Sequence, residues 1–125
     1  MKKDKCLCEA DKILIFPCSG GSNVGQIANE TAKELTSQGI GSMYCLAGIG
    51  GHISGFAEAT REVKKVVAID GCLVKCTRKT LEHAECPVTV HVVVTDLGIR
   101  KTSNLLLDKK DIMKVENAVK EELKK

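Results

Sequence analysis

The chain reads as an α/β protein: a three-layer, Rossmann- or flavodoxin-like parallel sheet with strand order 2-1-3-4. Three observations predict it. Four short aliphatic runs are each bounded by glycine, proline or aspartate. Between them lie stretches whose apolar residues recur at helical spacing. Strands that alternate with helices form parallel sheets covered on both faces. Right-handed crossovers in a chain of 125 residues then favour the order 2-1-3-4.

The elements follow in order. Residues 12–17 form a buried strand, Ile13-Leu14-Ile15-Phe16, stopped by Pro17. Cys18-Ser19-Gly20-Gly21-Ser22-Asn23 makes a tight loop. Val24, Ile27, Ala28, Ala32 and Leu35 then recur at helical spacing until Gly39 ends the helix. Residues 41–46 predict a second short strand, and Ala47 to His52 a glycine-rich loop. A polar helix follows over roughly 54–64, with Phe56, Ala57 and Thr60 facing inward. Residues 66–70 are a third buried strand, and Leu73 to Ala84 a helix broken by Cys86-Pro87. Val88-Thr89-Val90-His91-Val92-Val93-Val94 is the strongest strand, being rich in β-branched residues. Thr95 to Gly98 turns, and Asp108 caps a last helix with Ile112, Val115, Val119 and Leu123 on one apolar face.

This pattern predicts one domain over residues 11–125, preceded by a loose arm, residues 1–10, that carries Cys6 and Cys8. Hydrophobic residues make up 43% of the chain but aromatics only 2%, so the core must be aliphatic. The net charge of +3 is mild, and the chain has no basic stripe with interleaved aromatics, so nucleic acid is not an expected partner. No apolar run reaches the length of a membrane span, and the start has no long apolar segment of the secretory kind. The expected location is therefore the cytoplasm. There, seven cysteines point to metal or thiol chemistry rather than disulfides.

Three of those cysteines stand where predicted strands end: Cys18, Cys45 and Cys72. Ligands bind open α/β sheets in the crevice outside the carboxyl ends of the strands. Cys76 follows Cys72 by one turn, so four thiols are expected to converge on one spot. Zinc takes four thiolates tetrahedrally at about 2.3 Å, which makes Cys18, Cys45, Cys72 and Cys76 a candidate ligand set.

The Cys18 loop admits other readings. Gly20 and Gly25 have P-loop spacing, but Gln26 and Ile27 replace the lysine and hydroxyl that hold phosphate and Mg²⁺. A phosphatase loop needs an arginine six residues after the cysteine, where Val24 stands. A thiol at a helix N-terminus remains, and the dipole there favours the thiolate. In Asp70-Gly71-Cys72-Leu73-Val74-Lys75-Cys76, Gly71 permits an unusual backbone angle, and the CxxxC spacing differs from the CxxC of thioredoxin-like redox pairs.

Asp70-Gly71-Cys72 with Cys76, the Cys18-Ser-Gly-Gly-Ser-Asn-Val-Gly loop and Cys45 resemble the DGC-domain family. That family is described as zinc-binding proteins with four characteristic cysteines. The resemblance covers roughly residues 12–100 and implies zinc as the metal, with Cys18, Cys45, Cys72 and Cys76 as its ligands.

Other residues have lesser expectations. Cys86 is expected to be structural. His52 is a spare ligand or proton carrier, His83 a solvent-facing helix residue and His91 a satisfied sheet residue. Asp70 and Asp96, at strand ends, can orient a ligand from outside the coordination sphere. Gly48-Ile49-Gly50-Gly51 lacks the third glycine of a dinucleotide fingerprint. Three functions stay open: a zinc protein handling or sensing metal, a thiol enzyme with Cys18 as nucleophile and Cys72 or Cys76 resolving, and an iron–sulfur carrier.

Overall fold

The computed structural model describes residues 12–125. The arm, with Cys6 and Cys8, lies outside the described residues. Four strands form one parallel sheet: β1 (Ile13–Pro17), β2 (Ser42–Met43), β3 (Lys65–Asp70) and β4 (Val90–Val93). Their order is β2-β1-β3-β4, as the alternation of elements predicts. The helices are α1 (Asn23–Ser37), α2 (Leu46–Gly50), α3 (Phe56–Arg61), α4 (Cys76–His83) and α5 (Lys109–Lys124).

Alternate residues of β1 and β3 feed two cores, as the period of two requires. On one face Ile15, Val67, Ile69, Val90 and Val92 meet Val24, Ile27, Ala28, Ala32 and Leu35 of α1 and Val115 and Val119 of α5. On the other, Leu14, Phe16, Val66 and Ala68 meet Ile49, Leu81 and Cys86. Both cores are almost wholly aliphatic; the aromatic contribution is Phe16, stacked edge-on to Tyr44 with ring centroids 5.8 Å apart.

Several boundaries differ from the expected ones, each for a local reason. β2 is only two residues long, because Gly41 lies against Ile13 and the chain turns into α2 at Cys45. The expected glycine-rich loop is thus partly a short helix. It packs Gly48 so tightly under Phe56 that a Cβ there would come within 2.7 Å of the ring. α4 begins three residues later than the periodicity suggests. Its N-cap, Lys75, lies in the left-handed region (φ 58, ψ 46), so Leu73 and Val74 form an exposed loop rather than a first turn. Asp108 does cap α5, its carboxylate accepting from the Lys110 N–H at 2.9 Å.

Candidate metal centre

The carboxyl ends of β1 and β3 meet directly. The Cys18 N–H donates to the Ile69 carbonyl at 3.0 Å, which continues the ladder past Pro17. Gly71 lies flush on the first turn of α1; a Cβ there would fall 2.8 Å from the Gly25 nitrogen and 2.9 Å from the Val24 carbonyl carbon. Gly25 in turn is pressed on Gly20, where a Cβ would meet backbone oxygen at 2.5 Å. These close approaches seat the Cys18 loop beside the Cys72 loop. Gly71 is therefore required for proximity, and the expected unusual backbone angle is not its role: its φ is not positive.

The Cys18 loop is held from several sides. Ser19 is left-handed (φ 53), and its hydroxyl donates to Asn29 Oδ1 at 2.9 Å. The Gln26 amide donates to the Ser19 and Gly20 carbonyls at 3.3 and 3.0 Å. Ser22 caps α1 by accepting from the Gly25 N–H. The helix therefore starts beyond Cys18, which sits four residues before the cap rather than at the helix terminus itself. Backbone N–H groups of Gly20 and Gly71 do favour a Cys18 thiolate, but burial outweighs them and pushes the thiol up from its ordinary value of 9.0. The expected dipole-activated thiolate is thus not what the fold builds.

A segment between β4 and α5 straps across this edge. Asn23 pins it three ways: its N–H donates to the Thr102 carbonyl (3.0 Å), its Nδ2 to the Arg100 carbonyl (2.7 Å), and its Oδ1 accepts from the Thr102 N–H (2.6 Å). The strap carries Lys101 to within 3.5 Å of the Cys72 sulfur. Neither Asn23 nor Lys101 was legible as a site residue. Asn23 reads as a turn residue, and its partners lie 77 and 79 positions away in sequence.

The four candidate thiols are distributed over two adjoining hollows. Cys18, Cys72 and Cys76 line one of about 160 Å³, with Gly20, Gly71 and Lys101. Cys18 and Cys45 line the other, of about 480 Å³, walled by Pro17, Met43, Tyr44 and Leu46. All four are free thiols; Cys18 and Cys72 are half-buried and Cys45 and Cys76 exposed. Among the described residues, no three or more His, Cys, Asp or Glu side chains are drawn together closely enough to hold a metal ion. The donor set itself, four reduced sulfurs on one edge with backbone N–H groups and a lysine to offset thiolate charge, suits zinc chemically.

The remaining candidates fall elsewhere. Cys86 is 1% exposed in the second core, a small apolar residue whose thiol burial pushes up from 9.0. His52 is exposed and stacks edge-on with His83, ring centroids 5.4 Å apart, in neither thiol hollow. Asp96 is exposed on the 94–97 turn. His91 is bound within the sheet's second face to Asp70.

The raised thiols predict an alkaline limb of stability. A thiol whose folded value exceeds its unfolded one stabilises the fold while protonated; that contribution is intact below the unfolded value and is lost as pH climbs through the folded one. Denaturant unfolding of the metal-free protein should therefore weaken above about pH 9, more steeply than in a Cys86→Val variant. Parallel pH profiles for the two proteins would contradict a buried Cys86 thiol.

The family model for the DGC domain matches residues 14–119. The chain belongs to the DGC-domain family. The anaerobic and virulence modulator AnvM of Pseudomonas aeruginosa (strain PAO1) is 34% identical over 88 residues, covering 70% of this chain and 67% of that protein. No solved structure matches the chain. Among the described residues no helix is long and apolar enough to cross a membrane.

Proposed function

We propose that this protein binds one Zn²⁺ through the thiolates of Cys18, Cys45, Cys72 and Cys76 and acts as a metal-handling or metal-sensing regulator in the cytoplasm. The observation that carries the reading is the position of Cys18. It lines both hollows, one with Cys72 and Cys76 and the other with Cys45, so it is the thiol through which one metal could recruit all four. When bound, zinc would supply charge compensation for the thiolates and a covalent-strength link between three loops. Burial that makes a lone Cys18 thiolate costly is offset by a cation, and the same burial disfavours Cys18 as a free nucleophile. A relative named as an anaerobic and virulence modulator supports a regulatory role, and reduced thiolates persist best where oxygen is scarce.

Elemental analysis and an absorption spectrum of anaerobically purified protein test the reading. One zinc per chain in colourless protein supports it, since Zn²⁺ is d¹⁰. A coloured iron–sulfur chromophore would replace zinc with a cluster, and metal-free protein with a rapidly alkylated Cys18 would favour a thiol enzyme. Deleting residues 1–10 should leave zinc stoichiometry unchanged, because four thiolates already complete a tetrahedral shell. A fall in bound zinc on that deletion would bring Cys6 or Cys8 into the site.

A further inference from the structure

Asp70 is 1% exposed, and its carboxylate is fully engaged by protein donors. Its Oδ1 accepts from the Thr77 N–H at 2.7 Å, and its Oδ2 from the Arg78 N–H at 3.2 Å. His91 Nε2, on β4, lies 2.8 Å from the same Oδ2. The other nitrogen of that imidazole faces the Arg78 guanidinium at 3.2 Å, and Arg78 also donates to Glu82 at 2.9 Å.

The position of this carboxylate is unusual for a helix cap. A capping side chain ordinarily belongs to the N-cap residue itself. In α4 that residue is Lys75, which is left-handed and supplies no side-chain cap. The cap comes instead from the last residue of β3, across the whole Gly71–Lys75 loop. A local cap would stabilise α4 wherever it lay, whereas this one fastens the first turn of α4 to the end of β3. Cys76 is the first residue of that turn, and Cys72 is the second residue after the strand. Asp70 thus fixes the span between the two thiols, and His91 fixes Asp70 to β4.

We propose that Asp70, braced by His91, is a positioning residue that sets the separation and orientation of Cys72 and Cys76 for metal. The inference rests on the zinc reading above and adds a role for two residues outside the ligand set. Groups that orient metal ligands in this way typically contribute about 10- to 100-fold to metal affinity.

The test separates positioning from helix capping. Four proteins are compared: the native chain, Asp70→Ala, Lys75→Asn and the double variant Asp70→Ala/Lys75→Asn. Asparagine is a good N-cap, and with the Asp70 tether gone residue 75 is free to take the extended backbone that capping uses, so it offers α4 a local cap. Zinc affinity is read by competition with a chromophoric chelator, ligand geometry by the thiolate-to-cobalt charge-transfer bands of the Co²⁺-loaded protein, and stability by denaturant unfolding of the metal-free form. Asp70→Ala should lose about 10- to 100-fold in zinc affinity and alter the cobalt bands. The double variant should recover stability relative to Asp70→Ala without recovering affinity or spectrum. Recovery of all three would reduce Asp70 to a helix cap and overturn the inference. So would native affinity in Asp70→Ala. Absence of thiolate-to-cobalt bands in the native chain would overturn the zinc reading itself, and this inference with it.

Discussion

Serine in place of any one of Cys18, Cys45, Cys72 or Cys76 should lower bound zinc and the melting temperature together. The two quantities are linked because metal that binds only the folded chain stabilises it by RT ln(1 + [L]/Kd), about 4 kcal/mol at a free concentration a thousandfold above Kd. For a domain of this size that corresponds to a shift on the order of 10 °C. The effect should be largest for Cys18→Ser, because Cys18 alone lines both hollows. It should be smaller for Cys45→Ser, whose thiol is exposed on the wider hollow beside Cys18 only. Added EDTA should reproduce the loss in the native chain and change the variants little. Cys86→Ser serves as the contrast: it should lower stability by burying a hydroxyl in an aliphatic core, with zinc content intact. Full zinc retention in two of the four site variants would remove the assignment.

The thermal effect has a structural route. Cys18 follows β1, Cys45 follows β2 and opens α2, and Cys72 and Cys76 bracket the loop from β3 to α4. A metal shared by these residues ties the ends of three adjacent strands. β2 is the weakest of them, two residues held to β1 by a short ladder. Zinc loading should therefore slow amide exchange most in residues 42–48, where strand pairing supplies least protection.

Much of this architecture was legible in the sequence because the cores are built from regular patterns. The aliphatic runs of β1 and β3 and the spacing of Val24, Ile27, Ala28, Ala32 and Leu35 on α1 each match what is buried. Strand order followed from chirality and length. The thiols at strand ends were legible for the same reason, since a strand's end in sequence is its end in space. What could not be read was contact between loops. Nothing local to Asn23 announces that it clasps residues 100 and 102, and nothing in Gly71 distinguishes a close approach from a permissive angle. The Cys18 thiol shows the same limit. Its neighbours in sequence suggest a helix terminus, but its burial is set by the tertiary fold, and burial decides the direction of its shift. The start of α4 is not legible locally, because Lys75 is left-handed and the cap that permits it comes from Asp70 rather than from a neighbour.

Gly71→Ala should be, with Gly25→Ala, one of the two most damaging single methyls that can be added at this edge. The new Cβ would stand 2.8 Å from the Gly25 nitrogen, 2.9 Å from the Val24 carbonyl carbon and 3.1 Å from the Gly25 Cα. All three are backbone atoms, so no side chain can swing aside. Relief requires α1 to back away from β3, yet Val24, Ile27 and Ala28 in its first turns are fully buried against Ile69 and Val67. Overpacking of this kind costs about 1–3 kcal/mol, and a clash with backbone alone belongs at the upper end. The urea midpoint should fall accordingly while the slope of the transition stays unchanged. Gly50→Ala provides the comparison: its Cβ would meet only Thr80 Cγ2, at 3.5 Å, an ordinary contact. In a helix that change should be neutral or stabilising by up to about 1 kcal/mol. The site should report the same displacement, because the interface that Gly71 allows is what sets the Cys18 loop beside Cys72. Zinc affinity in Gly71→Ala should therefore fall by more than in a core variant chosen to lose equal stability, such as Val115→Ala on the buried face of α5. Equal affinity in the two at matched stability would mean that the loops find the metal without the close approach. Native stability in Gly71→Ala would mean that α1 retreats freely and that Gly71 is not what joins the two thiol loops.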